Sequence, residues 1–286
     1  MEISRRLGLD NEYDYVTNFG FGEKTGVDLP GESTGIMFKK SVMGEVEQAT
    51  VAFGQGLSVT PIQLVTAFSA VINGGTLYEP YITKSIQDPI THDVILEYKP
   101  TIKRQVIQEE TSKQMRYALE SVVANGGGKA AYIEGYKIGG KTGTAQKAEN
   151  GVYSTSNYIL SFLSAAPMDD PEIVLYIAAD SPQNDILYGG TVIAPVVKAC
   201  YEDILPYLGI EKVDEQIPKK LIWPETENFK LENFVGKKKK EVVQAGVTFT
   251  FIGEGDTVME QMPEAGTTIS SEGGEVWIYL GNDKVK

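Results

Sequence analysis

One segment of this chain is built for chemistry: Gly139-Gly140-Lys141-Thr142-Gly143-Thr144-Ala145-Gln146. It places a lysine and two threonines in a glycine-flanked run that reads as a strand. Lys-Thr-Gly is one of three motifs of acyl-transfer sites that work through a serine. The other two are Ser-x-x-Lys, which carries the nucleophile, and Ser-x-Asn. Neither occurs here, since no serine has a lysine three positions on or an asparagine two positions on. The residues therefore read as part of an acyl-transfer site without the serine that would carry the acyl group. A second Lys-Thr-Gly, Lys24 to Gly26, takes a structural reading. It lies among glycines ahead of Pro30-Gly31, where a loop is expected, and no strand pattern leads into it.

Other chemistries find less support. His92 is the one histidine and sits in a loop-like context, Asp88-Pro89-Ile90-Thr91-His92-Asp93, so it reads as a solvated loop residue and not as a triad member. Cys200 is the one cysteine, which excludes an internal disulfide. No His/Cys cluster suggests a metal, and no cofactor is expected. The formal net charge of -13 disfavours nucleic acid as a partner. No apolar run approaches the roughly 20 residues that span a bilayer, and the start, Met1-Glu2-Ile3-Ser4-Arg5-Arg6, has no apolar signal core.

The elements that must position the Lys-Thr-Gly segment follow from periodicity. Thr60 is a plausible N-cap and Pro61 a first helical residue. Ile62, Val65, Phe68, Val71 and Ile72 then recur at helical spacing up to Gly74-Gly75. A second helix is expected from Thr111 to Ala124, with Met115, Leu119, Val122 and Val123 facing a core. Strands are expected at Tyr136–Thr144, Tyr158–Ala166 and Ile173–Ala179, and their short polar links favour an antiparallel meander. A long helix fits Val192 to Leu205, with Ile193, Val196, Val197, Cys200 and Ile204 on its buried stripe and Pro206 as its stop. From 211 to 228 the composition turns charged and Pro-containing, as in an interdomain linker. The last sixty or so residues make a separate unit. Its expected elements are a short helix, Lys237 to Ala245, and strands at Thr248–Ile252 and Val276–Leu280. Lys237 to Lys240 reads as a solvated helix face, with contact to an anionic polymer as the sharper alternative.

Four segments, in this order, carry a resemblance: Gly26-Val27-Asp28-Leu29-Pro30-Gly31-Glu32, Phe53-Gly54-Gln55-Gly56 with Val59-Thr60-Pro61-Ile62-Gln63, Gly140 to Gln146, and Ala178-Ala179-Asp180. Residues 1–210 resemble the C-terminal half of the transpeptidase domain of a class B penicillin-binding protein. Residues 229–286 resemble a PASTA domain, a small βαββ-type module, through the Gln261-x-Pro263-x-x-Gly266 turn and the last strand. Its usual Val-Pro opening is absent, because Leu231-Glu232 stands there.

The resemblance implies an α+β fold, with an incomplete transpeptidase sheet of three antiparallel strands with helices, a linker at 211–228 and the PASTA unit. It implies a membrane-anchored parent of the sporulation and division type on the extracytoplasmic face of a bacterial membrane. That parent would cross-link peptidoglycan stem peptides ending in D-Ala-D-Ala and would bind β-lactams. Lys141 would supply charge to the carboxylate and to proton transfer. The Thr142 and Thr144 hydroxyls would hold the carboxylate, the Thr144 N–H would be one oxyanion donor, and Gly140 and Gly143 would let the substrate backbone approach. Nucleophile and anchor are expected upstream of Met1, so this chain alone is expected to be inactive. A binding role remains beside it, in which the PASTA unit engages wall glycan, muropeptide or a division or sporulation protein. The exposed edge of the incomplete sheet is expected to give self-association, rearrangement or low stability.

Overall fold

In a computed structural model, which describes residues 1–149, 152–183, 187–219, 228–244, 247–270 and 275–282, Thr60 caps a helix as its type requires. Its hydroxyl accepts the Gln63 N–H at 3.2 Å, and the Gln63 side chain accepts the Thr60 N–H in return at 2.9 Å. This reciprocal pair satisfies two donors that a helix start leaves orphaned. Pro61 fills the first helical position. The buried Gln63 amide also donates to the Glu23 and Thr34 carbonyls at 2.8 and 3.0 Å, so the helix start holds the loop before it.

The described residues divide into two units, Met1–Lys219 and Lys220–Lys286. In the first, helices α1 (Glu2–Leu7), α2 (Leu9–Asn18), α3 (Glu45–Val51) and α4 (Pro61–Ile72) come before any sheet. Strands β1 (Thr76–Glu79) and β4 (Thr101–Gln105) pair with each other, as do β2 (Ser85–Gln87) and β3 (Val94–Glu97) between them. Helix α5 (Glu109–Asn125) leads to the main sheet of β5 (Gly139–Glu149), β6 (Val152–Ala166) and β7 (Ile173–Asp180). A one-turn α6 (Gly189–Val192) and α7 (Ala194–Tyr207) close the unit.

The main sheet is an antiparallel meander, in the order β5-β6-β7, as the strand pattern predicts. Its two faces follow from the two-residue period of β6. Leu160, Phe162 and Ala166 pack with Val197, Tyr201 and Leu205 of α7. Leu163 and Ala165 pack with Phe68 and Ile72 of α4 and with Leu119 of α5. Truncating a fully buried residue such as Phe162 to alanine would cost about 3–5 kcal/mol. The buried Tyr201 hydroxyl meets Ser164 Oγ at 3.1 Å, and burial raises its pKa.

Three expectations are corrected. Met115 is 39% exposed, because the buried positions of α5 are Ser112, Leu119, Glu120, Val123 and Ala124. The buried stripe of α7 is Ala194, Val197, Tyr201 and Leu205, while Val196 is exposed and Cys200 and Ile204 are only half-buried. Tyr201, whose ring reaches the sheet, sets that rotation. Pro206 lies inside the last turn of α7, which runs one residue further.

The second unit holds the three-stranded sheet β10 (Thr257–Met262), β12 (Glu275–Gly281) and β9 (Thr248–Ile252), with β12 and β9 parallel. A short pair joins β8 (Asn228–Lys230) to β11 (Thr268–Ser270). Phe234, Val258, Val276 and Ile278 form its core. The expected helix at Lys237–Ala245 is a single 3-10 turn, Lys239–Glu241. Four successive lysines repel along a helix, and here Lys238 N–H is taken by the Glu241 carboxylate at 2.7 Å. Ala245 and part of the expected linker, residues 220–227, lie outside the described residues. The earlier part of that stretch packs on the first unit, where Val213 N–H donates to Gly135 O at 2.8 Å.

Candidate active site

Strand β5 pairs with β6 along one edge only. Lys141 lies opposite Leu163, Thr142 opposite Phe162, Gly143 opposite Ser161 and Thr144 opposite Leu160. Among the described residues the other edge of β5 has no strand partner. A strand edge of this kind presents unpaired N–H and C=O groups to an extended peptide.

Side chains alternate along β5. Lys141 and Gly143 share the face of Leu163 and Ser161, while Thr142 and Thr144 share the α7 face. Lys141 and Thr144 are exposed, and Thr142 and Gly143 are half-buried. The Lys141 ammonium donates to the Thr142 carbonyl at 2.6 Å, curling back on its own strand. Thr144 Oγ1 accepts the Gly189 N–H of α6 at 3.2 Å, which leaves its own O–H free to donate elsewhere. The arrangement offers a cation, two hydroxyls and strand N–H groups to an anionic, extended ligand.

Glycines make this packing feasible. A Cβ on Gly140 would lie 2.6 Å from Leu163 O and 2.7 Å from the Phe162 ring, and one on Gly143 would lie 2.5 Å from Ser161 Oγ. The need for glycine at both positions thus arises within the sheet itself. Two further glycines, which the sequence reading passed over, seat α6 on the strand. A Cβ on Gly189 would meet Gly143 O at 2.4 Å and Ser161 O at 2.6 Å, and one on Gly190 would meet Gly127 O at 2.1 Å. The signal was the Gly189-Gly190 pair before a helix and the triple glycine after α5.

Of the other segments of the resemblance, Gln55, Gly56 and Asp180 meet the far end of the β5–β6 hairpin, while the Gly26 to Glu32 segment lies elsewhere, with Asp28 bonded to Ile82 and Thr83. Gln55 Nε2 reaches Gln146 Oε1 at 3.5 Å, and Gly56 N–H donates to the Tyr153 hydroxyl at 3.0 Å. Asp180, at the end of β7, takes Lys147 Nζ at 2.7 Å. That hydrogen bond, with a second from Ser181, holds its carboxyl below the usual range. The Lys24-Thr25-Gly26 copy is structural: Thr25 is buried and its hydroxyl and N–H both donate to the Glu32 carboxylate. His92 is an exposed turn residue at φ 62. Among the described residues, no His/Cys/Asp/Glu group could hold a metal ion and no helix is long and apolar enough to cross a membrane.

Residues 1–202 match the family described as the penicillin binding protein transpeptidase domain. Stage V sporulation protein D of Bacillus subtilis (strain 168) is 49% identical over 288 residues, covering 100% of this chain and 44% of that protein. Peptidoglycan D,D-transpeptidase FtsI of Escherichia coli (strain K12) is 32% identical over 199 residues, covering 69% of this chain and 32% of that one. Among solved structures, penicillin binding protein 3 of Mycobacterium tuberculosis complexed with ampicillin superposes with a TM-score of 0.70 at 30% identity, covering 76% of this chain and 50% of that one. The chain spans less than half the length of these curated relatives.

Proposed function

Because this chain belongs to the penicillin-binding protein transpeptidase family, we propose that it forms the C-terminal half of the catalytic domain of a class B peptidoglycan D,D-transpeptidase. Its substrates are stem peptides ending in D-Ala-D-Ala, and β-lactams occupy the same place. The observation that carries this reading is the open edge of β5, with Lys141, Thr142, Gly143 and Thr144 along it and β6 on the other side. The peptide adds to that edge as a strand. Lys141 and the hydroxyls of Thr142 and Thr144 hold its terminal carboxylate, and the Thr144 N–H stabilises the oxyanion, a contribution on the order of 10²–10³ in rate.

The nucleophilic serine comes from polypeptide outside these 286 residues, since no Ser-x-x-Lys stands within them. The membrane anchor does likewise, and the protein works on the extracytoplasmic face in sporulation or division. Residues 229–286 form a PASTA module on this reading, supported by the separate second unit and its Gln261, whose side chain accepts the Phe234 N–H at 2.7 Å.

This chain by itself therefore forms no penicilloyl adduct. Intact mass spectrometry after incubation with a β-lactam tests that, and a stoichiometric mass increase on any serine would overturn it. A protein that includes the serine is expected to label with fluorescent penicillin. A second reading, a non-catalytic module that binds wall glycan or a partner protein through the second unit, is favoured by the absent serine and by the exposed Trp277 and Met262 beside each other on β12 and β10. Failure of the serine-bearing protein to label would favour it.

A further inference from the structure

We propose that residues 212–217 clamp the turn that launches β5, and that Gln216 is a positioning residue for Lys141 to Thr144. This rests on the reading of β5 as the substrate strand. A single side-chain amide holds the whole turn. Gln216 Oε1 accepts the Gly135 N–H at 2.9 Å, and Nε2 donates to Ile133 O at 2.9 Å and also to Tyr136 O. Both of its amide hydrogens are thereby used. The clamp's backbone adds a fourth bond, Val213 N–H to Gly135 O at 2.8 Å, so both backbone groups of Gly135 are taken. Gly135 has φ 87, and a Cβ there would lie 2.8 Å from Lys212 Cβ, so the turn and the clamp fit only with glycine at this position. Lys212 also lies over the Tyr136 ring, 5.6 Å from its centre.

The clamp reaches the other flank of the site as well. Ile217 N–H donates to the Glu120 carboxylate of α5 at 2.8 Å, and Asn125 Nδ2 donates to Pro218 O at 3.3 Å. Gly126 to Gly128 follow helix α5, α6 approaches them so closely that a Cβ on Gly190 would lie 2.1 Å from Gly127 O, and α6 in turn donates to Thr144. The clamp thus ties together the two elements that feed the Lys-Thr-Gly strand, the turn before it and the helix beside it. Only Lys137 and the buried Ile138 separate Tyr136 from the first residue of β5. From Tyr136 to Lys141 is about 16 Å of extended chain. A shift of the turn therefore moves the Lys141 ammonium relative to a serine held on other elements, and misplacement by about 1 Å can cost on the order of 100-fold in rate.

The test has two arms. In the protein that carries both this chain and the serine, Gln216→Ala should slow the acylation step by fluorescent penicillin about tenfold while the preceding non-covalent Kd changes less than twofold. Gln216→Glu, which keeps the shape and the acceptor but loses both donors, should be as slow. Glu211→Ala, at an exposed residue just outside the clamp, should acylate like the parent. In this chain, Gln216→Ala should speed amide hydrogen exchange in residues 139–146 about tenfold and leave β12 of the second unit unchanged. Parental acylation in Gln216→Ala, rescue by Gln216→Glu, or unchanged exchange in 139–146 would each overturn the clamp. A parent that never labels, together with faster exchange in Gln216→Ala, would sink the transpeptidase reading and leave the clamp standing.

Discussion

Lys141 can lose its charge at little cost to the fold. Its side chain is exposed and, among the described residues, its ammonium bonds a carbonyl of its own strand, and surface substitutions of this kind usually stay within about 0.5 kcal/mol. In the serine-bearing protein, Lys141→Ala is expected to slow acylation by ~10²-fold, the scale of removing one stabilising group from a preorganised site. The thermal midpoint should stay put. Normal acylation with a lowered midpoint would make Lys141 a structural residue. The opposite balance holds at Gly189, where a Cβ would sit 2.4 and 2.6 Å from two backbone oxygens, neither of which can rotate away. Gly189→Ala should destabilise the first unit by about 1–3 kcal/mol and disturb Thr144, whose hydroxyl accepts the Gly189 N–H. A melt unchanged from the parent would show that α6 can lift off β5 freely.

At the scale of elements, the first unit is held by polar stitches between loops as well as by its sheet. Asp28 is one of them, joining the loop after Gly26 to the segment leading into β2. Its carboxylate accepts the N–H groups of Ile82 at 2.7 Å and Thr83 at 2.9 Å. The Thr83 side chain, then these two N–H groups, lower its pKa to about 2. A depressed carboxylate pKa contributes stability that is fully present above the unfolded value, near 3.9. The contribution is lost as pH falls through the folded value. The Asp28 share should therefore disappear between about pH 4 and about pH 2. Hydrogen exchange of the Ile82 and Thr83 amides should rise across that window relative to other loop amides, after correction for the intrinsic pH dependence. Asp28→Asn, which cannot ionise, should abolish the pH-dependent part. Protection of those amides that persists at pH 2 would show that Asp28 does not hold the loop.

For the molecule as a whole, the decisive fact is a main sheet of three strands. Among the described residues, β7 ends the sheet with a free outer edge, and its residues from Ile173 to Ile177 are only half-buried. An unpaired, partly apolar edge is a pairing site for another chain. This chain is therefore expected to self-associate in light scattering at micromolar concentration. Calorimetry should show two transitions, one of which is reproduced by a polypeptide of residues 228–286, whose core of Phe234, Val258, Val276 and Ile278 is its own. A monodisperse monomer with one cooperative transition would mean that the first unit closes its edge by itself.

Several features were legible in the residues alone because they depend on local chemistry. The cap at Thr60-Pro61, the three meander strands and the turn role of the second Lys-Thr-Gly need only neighbouring residues and a period of two or 3.6. The absence of a Ser-x-x-Lys run is a property of the string of letters itself. The rotation of α7 was not legible, because Tyr201 wins the buried face through a hydroxyl bond to Ser164 on a strand 37 residues away. The hairpin strands β2 and β3 were invisible for the opposite reason. Most of their residues are exposed on both faces, so burial imposed no alternation. The residues from 211 to 219 have a linker's composition, yet they pack against the turn at 133–136. Composition records how well a segment tolerates water, whereas its hydrogen-bond partners lie some 80 residues back along the chain. Sequence spacing carries no trace of such a pairing, and folding alone brings the two segments together.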